Sequence, residues 1–98
     1  MASTPEAKVK ARLKKQLDEM GIYHFSPYQA GMGRAGVPDV IGCYQGRFVA
    51  FECKAGNNKP TALQEREMNA IRTAKGLAFV INEENVNQLK ELLQWTKN

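Results

Sequence analysis

The sequence predicts a single α/β domain, in which a small mixed β-sheet is flanked by helices in the order α-β-β-β-α-β-α. Three observations predict this class. The chain has 98 residues, a length that allows one domain over residues 1–98. Apolar residues recur at helical spacing in three separate stretches. Apolar runs typical of strands surround a Gln45-Gly46 pair, which has the composition of a two-residue hairpin turn.

The first helix is predicted to begin at Pro5 and to end near Gly21. Thr4 is a suitable cap, and Glu6 places an acid in the first turn. The apolar stripe of this helix is Val9, Leu13, Leu17 and Met20. Its other sides carry five basic residues, which are Lys8, Lys10, Arg12, Lys14 and Lys15. This basic face either lies along nucleic-acid phosphates or is simply solvated, and the residues alone leave both interpretations open.

Glu6 has two interpretations as well. A first-turn glutamate caps a helix and compensates its dipole without any further function. Glu6 also lies three residues before Val9, so it continues the apolar stripe toward the edge of the core, where a site could lie.

A short strand over residues 22–25 and a loop over residues 26–38 are predicted next. The loop has the spacing G-x-G-x-x-G at Gly31, Gly33 and Gly36, but a dinucleotide-binding loop opens a helix, whereas a strand follows here. These glycines are therefore expected to let the backbone turn tightly. Arg34 is either a phosphate contact or a solvent-facing loop residue.

The hairpin around Gln45-Gly46 brings charged residues together. Counting outward from the turn puts Tyr44 opposite Arg47 and Asp39 opposite Glu52. Side chains alternate along a strand, so Lys54 lies on the Glu52 face. Opposed carboxylates repel each other, but their oxygens can share Mg²⁺ or Mn²⁺, and an ammonium group beside them can steady a water or a phosphate. The alternative is a solvated hairpin end with ordinary charges.

The second half of the chain is predicted to form a loop over residues 55–60, a helix over residues 61–75, a strand over residues 77–81 and a last helix. In the second helix, Gln64 fits a capping box with Thr61, yet it also lies on the inner face of that helix, from which it can reach the Glu52–Lys54 strand. The inner side of the last helix is predicted to hold Val86, Leu89, Leu92 and Leu93. Trp95 either completes that core or lies at a partner surface.

Composition narrows the classes of protein. A formal net charge of +4 suits a nucleic-acid partner without proving one. The sequence has no apolar run of about 20 residues and no signal-peptide core, so no membrane contact and a cytoplasmic location are expected. Cys43 and Cys53 fall on opposite faces of the predicted hairpin, so both are expected to be reduced and mostly buried.

Pro38-Asp39, separated by twelve residues from Glu52-Cys53-Lys54, resembles the PD-(D/E)-x-K nuclease signature. The wider pattern is similar to the VRR-NUC branch of that superfamily, in its small stand-alone phage and bacterial form. It comprises a glutamate in an early helix, a glycine-rich approach to Asp39, the Glu-x-Lys strand and a following helix that opens with a glutamine. The resemblance covers about residues 5–93 and implies a restriction-endonuclease-like core.

The resemblance also implies roles for the site residues. Asp39 and Glu52 would bind Mg²⁺ or Mn²⁺ together with the Cys53 backbone carbonyl, and Glu6 is a further candidate for the metal or water shell. Lys54 would act on the attacking water or the phosphate, and Gln64 would hold the Lys54 side of the site. The candidate DNA contacts are Lys8, Arg12, Lys15, Arg34 and Lys59.

The function expected from these features is a metal-dependent DNA endonuclease. Small stand-alone members of the family resemble junction-resolving enzymes, so branched DNA such as four-way (Holliday) junctions is the expected substrate, and a homodimer is the expected assembly. The alternative is a non-catalytic nucleic-acid-binding module that uses the basic first helix. A thiol redox protein is a third class, which only the two cysteines suggest.

Overall fold

Three helices and a four-stranded sheet make up the computed structural model, which describes residues 4–28 and 34–95. The order is α1 (Pro5–Glu19), β1 (Tyr23–Phe25), β2 (Val40–Tyr44), β3 (Arg47–Cys53), α2 (Ala62–Thr73), β4 (Leu77–Ile81), a 3-10 turn (Val86–Gln88) and α3 (Leu89–Trp95). The predicted α/β class and element order are confirmed. Gly31 and Gly33 lie outside the described residues. Among those described, no helix combines the length and the apolar character that crossing a membrane requires.

The sheet has the strand order β1-β2-β3-β4. Strands β1, β2 and β3 are antiparallel neighbours, whereas β3 and β4 are parallel and are connected through α2. The β2–β3 turn is the predicted Gln45-Gly46 pair, with φ values of 50° and 85°. Positive φ at both central residues defines a type I′ turn, which matches the twist of the flanking strands.

The hairpin register agrees with the count made from the turn. Tyr44 pairs with Arg47 and Val40 pairs with Phe51. Strand β2 begins at Val40, so Asp39 lies one residue before it, and the same register extended by one position puts Asp39 opposite Glu52.

Helices pack on both faces of the sheet. On one face, α1, the 3-10 turn and α3 bury the main core, which includes Leu13, Leu17, Phe51 and Leu89. On the other face, Met68 of α2 packs against alanines of β3 and β4. Helix α2 contacts mainly β3 and β4 on this face, and Ile41 of β2 packs against the edge of the same cluster. Tyr23 and Phe25 of β1 are exposed, and so is Phe48 near the start of β3.

Both cysteines are free, as predicted. Cys53 is buried in the main core, but Cys43 is exposed, so the expectation that both are mostly buried is wrong for Cys43. Cys43 pairs with Tyr23 of β1, and both residues are exposed.

Candidate active site

The candidate site lies at the end of β3, where the residue before β2 and the first turns of α1 and α2 approach the strand. Burial along β3 is continuous from Val49 to Cys53, so the strand carries Glu52 into the interior of the domain. The Lys54 backbone N–H then donates to the Ile81 carbonyl at 2.9 Å, which holds the chain beside β4 just past the strand.

Glu52 is the buried charged residue of this site, with 2% of its surface exposed. Its Oε2 atom accepts a hydrogen bond from Gln64 Nε2 at 3.0 Å and lies 3.6 Å from Lys54 Nζ. Its Oε1 atom is buried and has no hydrogen-bond partner in the part of the chain that the structure describes. A buried oxygen of this kind normally has a partner, so Oε1 is a place where a ligand could bind.

The pKa of Glu52 is raised from 4.5 to about 7, first by burial and then by the negative charge of Asp39, while the Lys54 ammonium opposes the shift. The carboxyl group therefore changes its protonation state near neutral pH. A group with this pKa can accept or release a proton under ordinary conditions.

Gln64 makes both of the contacts that the sequence suggests, since it caps α2 and reaches Glu52. The side-chain Oε1 of Gln64 accepts a hydrogen bond from the Thr61 backbone N–H at 2.8 Å. The backbone N–H of Gln64 donates to Thr61 Oγ1 at 3.2 Å, so the capping box is formed. Its Nε2 remains available and donates to Glu52. The cap fixes the glutamine side chain, and the fixed side chain orients the Glu52 carboxylate.

Asp39 is tied to the strand by its side chain. Its Oδ2 accepts the Cys53 backbone N–H at 2.8 Å, a bond that the sequence did not predict. The loop before Asp39 is held against α2 by Gly36, where φ is 76° and an added Cβ would lie 2.5 Å from the Leu63 carbonyl oxygen. Gly36 therefore permits a close approach that other residues would block.

Glu6 reaches the site from the start of α1. Its Oε1 lies 3.8 Å from Lys54 Nζ, so the Lys54 ammonium stands between the carboxylates of Glu6 and Glu52. No group of three His, Cys, Asp or Glu residues in the described ranges is arranged to hold a metal ion. Glu6 thus contacts Lys54 and does not join Asp39 and Glu52 in a three-carboxylate cluster.

The residues predicted to contact DNA lie outside this cluster. Lys8, Lys15 and Lys59 are exposed. Arg12 donates to Asn87 Oδ1 through Nε at 3.0 Å and through Nη2 at 2.8 Å. Arg34 is bound to Glu67 by two hydrogen bonds of 3.2 and 2.9 Å, so its charge is balanced by a neighbouring helix.

Two residues of the site were missed in the sequence. Thr4 and Lys10 line a cavity of about 210 Å³ together with Glu6, Asp39 and Cys53. Lys10 follows Glu6 by four residues on α1, and this i, i+4 spacing places both on one helix face. That spacing was the signal that could have identified Lys10.

The fold and site define an α/β domain with two carboxylates, a lysine and a glutamine gathered at one end of its sheet. No model of a known protein family matches the chain, and a search of curated proteins found no match either.

Proposed function

We propose that this chain is a metal-dependent nuclease that hydrolyses phosphodiester bonds in DNA. The observation that carries the proposal is the Glu52 carboxylate, buried between Gln64 and Lys54 with one oxygen unpartnered among the described residues. Burying a carboxylate with an unmet oxygen destabilises the fold. Such an arrangement is typical of a functional site, where a ligand compensates the cost.

Residues of this site fit a hard divalent cation. Asp39 and Glu52 offer carboxylate oxygens, and the Cys53 carbonyl offers a third oxygen, which is the type of ligand that Mg²⁺ and Mn²⁺ prefer. A bound cation would offset the repulsion by which Asp39 raises the pKa of Glu52. In phosphodiester hydrolysis a bound divalent cation lowers the pKa of a nearby water and polarises the phosphate.

The remaining side chains position and stabilise charge. Lys54 is confined between Glu6 and Glu52, so its ammonium can orient the attacking water or offset the charge that develops on the phosphate. Gln64 fixes the orientation of Glu52. Glu6 acts through Lys54 and holds its ammonium group at the site.

Branched DNA is the proposed substrate, with four-way junctions first among the candidates, and a homodimer is the proposed assembly. A two-fold dimer would present two sites to the paired strands of a junction. These proposals rest on the resemblance of the sequence and on the basic character of the chain, which has a net charge of +4.

A non-catalytic nucleic-acid-binding module is the second candidate. The finding that favours it is the lack, within residues 4–28 and 34–95, of three metal-binding side chains gathered at one point. Such a module would bind DNA through α1, and its Glu52 cluster would have only a structural role as a set of internal polar contacts.

Cleavage of a panel of linear, flapped and four-way DNA separates the two candidates. The nuclease cuts at least one of these substrates in Mn²⁺ or Mg²⁺ and cuts none in EDTA. The module binds DNA equally in both solutions and cuts nothing. The same panel tests the substrate proposal, since preference for linear DNA would contradict it.

A further inference from the structure

The cavity beside Asp39 is formed by two separate parts of the chain. One wall is the first turns of α1, with Thr4, Glu6, Ala7 and Lys10. The opposite wall is Asp39 and Cys53 at the end of the hairpin. Its volume of about 210 Å³ corresponds to roughly seven waters at about 30 Å³ each, which is enough for a phosphate group.

The two lysines of this region have different surroundings. Lys54 lies within 4 Å of two carboxylates, at 3.6 Å from Glu52 and 3.8 Å from Glu6. Lys10 is half-buried and lines the cavity, yet it forms no ion pair with any residue in the described ranges.

We infer that Lys10 is a second catalytic cation of the site and binds a non-bridging oxygen of the DNA phosphate that occupies this cavity. The inference rests on the proposed nuclease function. A lysine ammonium binds phosphate as a point charge, and its donors need no fixed plane. An unpaired ammonium beside the site can stabilise negative charge that develops during hydrolysis. The charge of Lys54 is already balanced in part by two carboxylates, so Lys54 stabilises additional negative charge less.

The alternative is that Lys10 only balances the carboxylates on the cavity walls. A balancing residue affects stability and leaves the rate of the chemical step unchanged. A catalytic cation does the opposite, because its interaction strengthens as charge develops in the transition state. The single-turnover rate at saturating DNA is therefore the informative quantity.

The test compares the full chain with Lys10→Met, Lys10→Arg and Lys90→Met. Methionine keeps a long side chain and removes the charge, and Lys90 supplies the matched control because it is exposed on α3. We expect Lys10→Met to lower the saturated cleavage rate at least about tenfold. Its DNA affinity in EDTA should change less than about threefold, and its thermal midpoint should stay within about 4 °C of the parent. Lys10→Arg should recover most of the rate, whereas Lys90→Met should match the parent.

Two results would overturn the inference. A Lys10→Met variant that cuts at the parent rate, or that loses no more rate than Lys90→Met, shows that Lys10 takes no part in the chemistry. If the parent chain cuts none of the DNA substrates in Mn²⁺, the proposed function fails and the inference fails with it. Activity of the parent thus distinguishes failure of the inference alone from failure of both.

Discussion

The two oxygens of the Glu52 carboxyl group have different surroundings. Oε2 faces Gln64 and Lys54, whereas Oε1 is buried without a hydrogen-bond partner among the described residues. The pKa is raised from 4.5 to about 7, so the folded state binds a proton more tightly than the unfolded state. The stability that this proton contributes is full below pH 4.5 and is lost as the pH rises through about 7.

Glu52→Gln should therefore stabilise the metal-free protein in a pH-dependent way. At pH 8 glutamine removes a buried charge, and we expect the free energy of unfolding to rise by about 1 to 3 kcal/mol. At pH 5 the glutamate of the folded protein is still largely protonated, so the gain from glutamine should be much smaller than at pH 8. Urea unfolding in EDTA at both pH values measures the difference, with Glu91→Gln on the exposed side of α3 as the control. A gain that is the same at both pH values would contradict the assigned pKa.

Asp39 forms a structural hydrogen bond and is also a proposed metal ligand. Its Oδ2 accepts the Cys53 N–H, and asparagine can keep that bond through its own carbonyl oxygen. Asp39→Asn should leave the metal-free stability unchanged or raise it, because it also removes repulsion with Glu52. Asp39→Ala should lower the stability by about 1 to 3 kcal/mol, because it leaves the Cys53 N–H without that partner. Thermal unfolding in EDTA compares the two, and equal losses would show that the hydrogen bond contributes nothing.

At the scale of elements, local signals in the sequence predicted most of what the structure has. The Gln45-Gly46 turn fixes the β2–β3 register, so the approach of Asp39 to Glu52 could be counted from the turn. The Thr61–Gln64 capping box is equally local. Two features could not be counted in this way, since each depends on how distant elements pack. They are the Asp39–Cys53 bond and the Arg34–Glu67 pair.

Two variants in the first turn of α2 separate the capping of the helix from the proposed role of Gln64 at the site. Thr61→Ala removes the cap hydroxyl and leaves the amide group that donates from Gln64 to Glu52. It should cost about 1 kcal/mol of stability with little loss of cleavage. Gln64→Ala removes both contacts and should lower stability and cleavage together. Chemical unfolding and single-turnover cleavage on the same samples make the comparison, and an equal loss of cleavage in both variants would mean that Gln64 acts only as a cap.

In the molecule as a whole, α2 contacts mainly β3 and β4 of the sheet. Tyr23 of β1 is 69% exposed, and Trp95 at the end of α3 is 86% exposed. The sequence left the place of Trp95 open between core and surface, because its position at the end of an apolar stripe suits both. The exposure of Tyr23 could not be predicted, because it depends on where α2 lies across the sheet.

These exposed aromatic residues are candidates for the interface of the proposed homodimer. The chain mass is 11.0 kDa, so a dimer should appear near twice that value in light scattering at micromolar concentration. Association should weaken when Trp95 and Tyr23, which are both exposed, are replaced by serine. A mass near 11 kDa at every concentration would contradict the dimer. Paired nicks on opposite strands of a four-way junction would support two cooperating sites.

We propose that Glu52 and Lys54 carry out phosphodiester chemistry, and cleavage by matched variants can show whether they do. Purified parent, Glu52→Gln, Lys54→Met and Lys90→Met proteins are incubated with the best substrate of the DNA panel in Mn²⁺, and single-turnover rates are measured. We expect cleavage by the parent and by Lys90→Met. The other two variants should lose at least about a hundredfold in rate while their folds remain intact by circular dichroism. Cleavage at the parent rate by either Glu52→Gln or Lys54→Met would contradict this proposal.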